Sequence, residues 1–432
     1  MDDRLLVLKM IAYIEKNLRG QINAETMAVK SGYSANRLRQ KFYTVTGDTP
    51  SGYIRKRRLS ESAKEILDGA RIIDVALKYG YSSQDNFTTA FRSYFGIPPK
   101  ELYTVQGKYR RFVRKMREVY SIMEIEKLKQ PSLCTTLMGC VKGASDYFDY
   151  DYSAPMLFGL TGHGFIINIH KELCPSGPYV WNKDEFFRLL TGLGITAVEK
   201  LRYVKGEDSP AKLETLESSL KNHLDAGELC MLDFLEHQLL NGYDEKGLLL
   251  LQPWNGQAST EIPRITYGSW AECLTKEGWV HFTVLKKSRP GKNMVQGAAE
   301  ALKFALDMYR NPEKYQSPDY RIGYGAYESW IDGVRRGLGT SHGHWWNGHV
   351  WTECRENAAA FFSEFKDYLE DGGKGAALCD ELTGIYRNAA RELGQAKEKD
   401  VPPDKQEEHL TFALDQEKKA ENRIEELVSL IG

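Results

Sequence analysis

The sequence has little of what marks several protein classes. Its seven cysteines, at Cys134, Cys140, Cys174, Cys230, Cys273, Cys354 and Cys379, are odd in number and show no paired spacing. They suggest neither a disulfide framework nor a zinc motif, and they fit a reducing compartment. Fifteen prolines in 432 residues are too few for a Pro-rich or collagen-like chain. No apolar run approaches the roughly 18 residues that a membrane span requires, so no membrane partner is expected. The opening MDDRLLVLKM carries acids where a secretory leader needs positive charge, and a cytoplasmic location is expected. Net charge is also nearly absent, with 58 basic side chains against 59 acidic ones.

That balance conceals a split. From Met1 to Arg117 there are 23 Lys and Arg against 11 Asp and Glu, a net of +12, while the remainder carries 35 against 48, a net of −13. A basic front quarter on an acidic body is the footprint expected when one end meets a polyanion, and nucleic acid is the first candidate. At roughly 150 residues per domain, the length predicts about three domains.

Two passages in the first hundred residues repeat: ETMAVKSGYSANRLRQKFYTVTGDTP and DVALKYGYSSQDNFTTAFRSYFGIPP. In each, an alanine (Ala28, Ala76) lies four residues before a glycine (Gly32, Gly80), and a phenylalanine (Phe42, Phe91) lies five before a second glycine. An internal repeat of this length predicts a duplicated unit. Each copy reads as a helix ended by a positive-φ glycine, a tight turn, and a second helix capped by Ser34, or by Ser82 or Ser83. Leu38, Phe42 and Val45, or Phe87, Phe91 and Tyr94, make the inward stripe. The outward face then shows Asn36, Arg37, Arg39, Gln40 and Lys41 in the first copy, and Gln84, Asp85, Asn86, Thr88, Thr89 and Arg92 in the second. Arg can fork onto guanine, Asn or Gln onto adenine, and Asp can accept from the cytosine amino group, so these faces suit base reading in double-stranded DNA. Asp85 on a basic domain is explained by a place in the groove; a solvated helix face is the alternative. The helix between the copies carries Arg55, Lys56, Arg57 and Arg58 and would hold the reading helices about one duplex turn, roughly 34 Å, apart.

With YIRKRRLSESAKEIL between the copies and IIDVALKYGYSSQDNFTTAFRSYFGIPPKEL as the second half, about a quarter of the chain resembles the DNA-binding domain of the AraC/XylS family of transcriptional regulators. The resemblance implies a pair of helix-turn-helix units, with Asn36, Arg39 and Gln40, then Gln84, Asp85, Asn86 and Thr89, as base-reading positions. For a transcriptional regulator, RNA polymerase is a further partner to expect. The family usually carries this domain at the C-terminus, whereas here it leads.

The basic stretch GKYRRFVRKMREVYSIMEIEKLKQP reads as a linker helix ending at Pro131. Beyond it, GELCMLDFLEHQLLNGYDEKGLLLLQPW reads as a hairpin around a DEKG turn, and GWVHFTVLKKS as another strand. From Asn293 onward the apolar spacing is helical. The predicted fold is therefore multidomain. An all-α double helix-turn-helix domain (1–106) and a basic helical linker (107–130) precede an α+β domain (131–290) and a C-terminal helical bundle (291–432) that packs on it.

Two residues of the α+β part are candidates for covalent chemistry. Cys134 precedes TTLMGC at a possible helix N-terminus, where the dipole lowers a thiol's pKa, and His237 opens the hairpin. SLCTTLMGC, SAPMLFGLTGHGF and HQLLNGYD resemble papain-like cysteine peptidase folds and the N-terminal domain of a butirosin-biosynthesis acyltransferase. Those enzymes place Asp or Asn after the following strand to orient the histidine; the corresponding residue here is Gln252, beside Pro253. A buried thiol and a core histidine are the preferred reading, with no catalysis assigned. His342, His344 and His349 in SHGHWWNGHVW lack a completing Cys or carboxylate and are read as lying on a Gly-rich loop, with no metal and no cofactor expected. Trp181, Trp254, Trp270, Trp279 and Tyr267 suit either an effector pocket or a core. The function expected is a sequence-specific regulator whose C-terminal domain senses a small-molecule effector. The alternatives are a thiol hydrolase or acyltransferase fused to a DNA anchor, and a C-terminal module that only dimerises.

Overall fold

The computed structural model describes residues 3–20, 22, 34–46, 48–67, 69–103, 123–125, 127–233, 236–244, 247–251, 264–266, 279–369 and 373–432. The chain forms two compact units. The first comprises Met1–Ile125 with Gly242–Leu249 and Arg264–Tyr267, and the second comprises Glu126–Asn241, Leu250–Pro263 and Gly268–Gly432.

Among the described residues of the first unit the α-helices are α1 (Asp3–Lys16), α2 (Ala35–Thr46), α3 (Pro50–Leu67), α4 (Ile72–Lys78) and α5 (Gln84–Phe95). Two hydrophobic clusters hold them. Leu6, Val7, Met10, Ile11 and Ile14 of α1 meet Leu38 and Phe42 of α2 and Tyr53 of α3. Val75 and Ala76 of α4 meet Phe87, Phe91 and Phe95 of α5 and Leu59, Ala63 and Ile66 of α3. The duplicated stripes thus make two small cores, and α3 supplies one end to each. The second stripe closes with Phe95 rather than Tyr94, which is only partly buried, because i, i+4, i+8 keeps Phe87, Phe91 and Phe95 in line along one face. Their rings pack at 5.4 and 4.4 Å.

Residues 107–122 and 126 of the expected linker helix lie outside the described residues. Within its described end β1 (Met123–Glu124) pairs antiparallel with Tyr243 and Gly242, and the described residues between there and Pro131 form no helix. Ladder pairing satisfies this backbone where helix was expected.

The second unit is α+β. Helices α6 (Thr136–Tyr147), α7 (Ala154–Leu160), α8 (Asp184–Gly192) and α9 (Pro210–Asp225) accompany an antiparallel sheet. In that sheet β3 (Ile195–Val204) pairs with β8 (Trp279–Lys287), β8 with β4 (Leu229–Asp233), and β4 with β5 (His237–Tyr243). The apolar stretch expected as one hairpin holds three strands. β4 and β5 pair antiparallel, and β5 is followed by β6 (Gly247–Leu250), with Asp244 donating its N–H to the Gly247 carbonyl at 2.9 Å. In the first unit β6 pairs with β7 (Arg264–Thr266). Five long helices complete the second unit: α10 (Met294–Arg310), α11 (Tyr324–Arg335), α12 (His342–Phe365), α13 (Lys374–Ala396) and α14 (Pro403–Ile431). A minor ladder joins β2 (Asn168–His170) and β9 (Tyr320–Ile322). Among these helices Arg355 and Glu417 form a fully buried ion pair at 2.6 Å, and Tyr309 and Tyr327 also donate to Glu417. Among the described residues no helix is long and apolar enough to cross a membrane.

Candidate functional site

The turn between α4 and α5 has the geometry that its sequence demands. Gly80 adopts φ +82°, a conformation that costs glycine no Cβ clash. Ser83 caps α5 by accepting the Asn86 N–H at 3.2 Å, and Gly96 closes that helix in the left-handed conformation. Ser34 caps α2 in the same manner, accepting from the Arg37 N–H at 3.4 Å. Ala28 and Gly32 of the first copy lie outside the described residues.

With Leu38, Phe42, Phe87 and Phe91 buried, the opposite faces of α2 and α5 are left to water. Asn36, Arg37, Arg39 and Gln40 are exposed and Lys41 is half-buried; Gln84, Asp85, Asn86, Thr89 and Arg92 are exposed and Thr88 is half-buried. Asp85 lies in the first turn of α5, where the helix dipole favours a carboxylate whether or not it faces a base. Asn86 is partly committed, its Nδ2 donating to Ser82 Oγ at 2.8 Å.

The four basic residues of α3 divide. Arg57 is buried and forks onto Glu15 with two 2.8 Å hydrogen bonds. Arg58 donates to the Leu18 and Gly20 carbonyls at 2.9 and 2.6 Å, and Lys56 pairs with Asp48 at 2.8 Å. Arg55 is exposed.

Comparisons with known proteins bear on this same segment. A helix-turn-helix domain family matches residues 27–104. The HTH-type transcriptional activator AarP of Providencia stuartii is 36% identical over 95 residues, which are 22% of this chain and 70% of AarP. The regulatory protein SoxS of Escherichia coli is 37% identical over 102 residues, 23% of this chain and 95% of SoxS. This chain belongs to the AraC family of transcriptional regulators. The right origin-binding protein of Escherichia coli is 38% identical over 100 residues, but the chain spans only 35% of its length. This AraC-family chain is accordingly a DNA-binding transcription regulator with a helix-turn-helix domain at its front.

In the second unit of the regulator, Cys134 and His237 occupy a polar cluster at the start of α6. Cys134 precedes the helix, and Glu353 of α12 occupies the helix N-terminus, accepting the N–H groups of Cys134 and Thr135 at 2.9 and 2.7 Å. Instead of being lowered by the dipole, the Cys134 thiol is pushed up to about 11 by burial, with Glu353 and Glu356 adding to it. His237 is fully buried at the head of β5, and its Nε2 lies 2.8 Å from Asp233 Oδ1, within ion-pair distance though not in hydrogen-bond alignment. Burial disfavours the Asp233 carboxylate, yet His237, Lys183 and His281 around it hold it well below the usual range. The carboxylate beside the histidine therefore comes from the preceding strand, since Asp233 and His237 are register partners across β4 and β5. Gln252 and Pro253 lie outside the described residues. Among the described residues no hydrogen bond joins Cys134 to His237. The Cys/His contact that does occur is Cys354 Sγ to His163 Nδ1 at 3.7 Å. Burial drives that thiol up to about 12 and that imidazole down to about 3, so the pair is neutral.

The segment SHGHWWNGHVW is not a loop; it forms the first turns of α12, capped by Ser341. Its glycines serve close packing, since a Cβ at Gly343 would strike the Leu173 carbonyl and one at Gly348 the Lys397 side chain. His344 is buried with both ring nitrogens engaged, by Trp330 Nε1 at 2.9 Å and the Ala396 carbonyl at 2.8 Å. His342 and His349 pack on Trp345. Of the aromatic residues weighed between an effector pocket and a core, Trp279 lies in β8, and Trp181 is buried against His163 and Phe186. Trp254, Tyr267 and Trp270 lie outside the described residues.

Proposed function

We propose that this regulator reads a specific DNA sequence with the outward faces of α2 and α5, through Asn36, Arg37, Arg39, Gln40, Lys41, Gln84, Asp85, Asn86, Thr88, Thr89 and Arg92, and that its second unit senses a small-molecule effector. The observation that carries the DNA reading is the clean division of each helix, with large apolar side chains buried on one side and forking or hydrogen-bonding side chains in water on the other. Phosphate contacts from Lys and Arg set affinity and salt dependence, while base-edge contacts set preference. Residues 1–106 act as the DNA-binding part, 107–130 as the coupling segment, and the α+β and helical parts as the sensor. RNA polymerase is the further partner of such a protein.

The test is selection of sites from random DNA by the full chain, repeated with Arg39→Ala and Gln84→Ala. Each change is expected to relax preference at its own base positions by about 1–3 kcal/mol, and unchanged preference in both variants refutes the groove assignment.

The His237–Asp233 contact favours a second reading, a papain-like thiol hydrolase or acyltransferase, because an oriented imidazole is one of its requirements. The high Cys134 pKa opposes it. Alkylation separates the readings: an active thiol reacts far faster at Cys134 than at the other cysteines, a structural one does not.

A further inference from the structure

An aromatic ring exposed by itself on a protein surface needs no explanation, but Tyr43 does not stand by itself. It is 58% exposed, more than any other large apolar side chain among the described residues, and it belongs to α2 with the candidate reading residues. Seven positions carry a helix to within about 20° of its starting direction, so Tyr43 is nearly in line with Asn36. Arg39 and Gln40 fall on either side of that line. Asn36, Arg39, Gln40 and Tyr43 therefore make the i, i+3, i+4, i+7 pattern of one helix side, and all four are exposed. Leu38 and Phe42 are buried on the other side.

Reach and company decide what the ring can do there. At a rise of about 1.5 Å per residue, Tyr43 is roughly 10 Å beyond Asn36 along the axis, within the span of a major groove about 12 Å wide. Long helical side chains lean toward the helix N-terminus, which carries the ring toward the turn of Arg39 and Gln40. The neighbouring Thr44 turns its hydroxyl back onto the Gln40 carbonyl at 3.0 Å.

The two copies of the unit differ at this place. Phe42 corresponds to Phe91, so Tyr43 corresponds to Arg92 of α5. In α5 Arg92 is the one cation, set against Asp85, whereas α2 has Arg37, Arg39 and Lys41. Those three serve phosphate without Tyr43, and the apolar ring is what distinguishes the first copy. In the major groove the complement of such a ring is the C5 methyl group of thymine, the apolar group that base pairs display there.

We propose that Tyr43 is a specificity-determining residue of α2, its ring packing on the C5 methyl of a thymine in the DNA site. This rests on the groove reading of α2 given above and names one base of the sequence that the helix selects.

The experiment uses the full chain and the DNA site it selects, with each thymine replaced in turn by deoxyuridine, which removes the methyl and nothing else. At one position the unaltered chain is expected to lose about fourfold in affinity, the worth of one methyl withdrawn from water, a readout that no folding defect imitates. That position is expected to lie beside the bases whose preference Arg39→Ala relaxes. Tyr43→Phe keeps the ring and is expected to keep the loss. Tyr43→Ala is expected to bind thymine and uracil alike at that position, while staying as sensitive as the parent at every other. A site with no methyl-sensitive thymine, a sensitivity that persists in Tyr43→Ala, or a Tyr43→Ala change that weakens all sequences equally overturns the role of Tyr43 and leaves the groove reading standing. If Arg39→Ala also relaxes no position, the groove reading falls with it.

Discussion

The first unit turns its polar side chains outward and the second turns them inward, and the same residue types therefore do different work. In α2 and α5 arginine, asparagine and glutamine stand in water over stripes of phenylalanine and leucine. In the second unit Arg355 and Glu417 meet with no exposure at all, Glu236 is held by two hydroxyls and Glu353 by backbone N–H groups. An outward face is set by one helix and its period. An inward cluster is set by segments far apart in the chain, as with Arg355 and Glu417, 62 positions apart.

The sharpest way to break this comparison is to remove one member of the buried pair. Glu417→Ala leaves Arg355 charged and leaves Tyr309 and Tyr327 without their acceptor, and is expected to cost about 3–5 kcal/mol. Replacing Arg355 and Glu417 together by Met and Leu is expected to cost much less, since the desolvation of both charges disappears as well. Denaturant unfolding of the three chains checks this. A single variant that unfolds like the parent means that the pair is not buried as described.

A smaller effect tests the same contrast inside α3. Arg58→Ala removes two hydrogen bonds to the Leu18 and Gly20 carbonyls that follow α1 and is expected to cost about 1–3 kcal/mol of stability. Arg55→Ala, on an exposed neighbour, is expected to leave stability within about 0.5 kcal/mol. If Arg55 faces phosphate, its loss lowers the slope of log affinity against log salt by about one. Unfolding curves and salt titrations of both variants decide it. Equal stability losses would mean that the two arginines are not divided between fold and surface.

This contrast also explains which features could be read before the structure was known. The repeat exposed Ser83, Gly80 and the stripe of Phe87 and Phe91 because each acts within a few residues of itself, through a cap, a turn or a helical period. Periodicity could not separate Arg57 and Arg58 from Arg55, since consecutive helix positions point about 100° apart and only the place of Glu15 and of the Leu18 and Gly20 carbonyls decides which are taken up. Glycine misled in SHGHWWNGHVW, where spacing reads as a loop but Gly343 and Gly348 admit Leu173 and Lys397 to a helix surface. Glu236 was masked by the more conspicuous His237 beside it. Nothing local marks Glu353 as the cap of a helix that starts more than 200 residues earlier.

The finest test lies in opposite pH slopes within the polar cluster. Asp233 is held below its ordinary pKa, chiefly by His237 once burial is overcome. Its contribution to stability is present above the unfolded carboxyl value, near 4, and is lost as pH falls through the lower folded value. Glu236 is raised by burial, so its contribution is complete below the unfolded value and is lost as pH rises through the higher folded one. Asp233→Asn is therefore expected to destabilise the second unit at neutral pH, with a penalty that shrinks under acid. Glu236→Gln is expected to compare most favourably with the parent at neutral pH, because it removes an ionisation that the buried site resists. Thermal unfolding from pH 2 to 8 separates the two, and parallel curves for both variants would mean that the two carboxyls are not shifted in opposite directions.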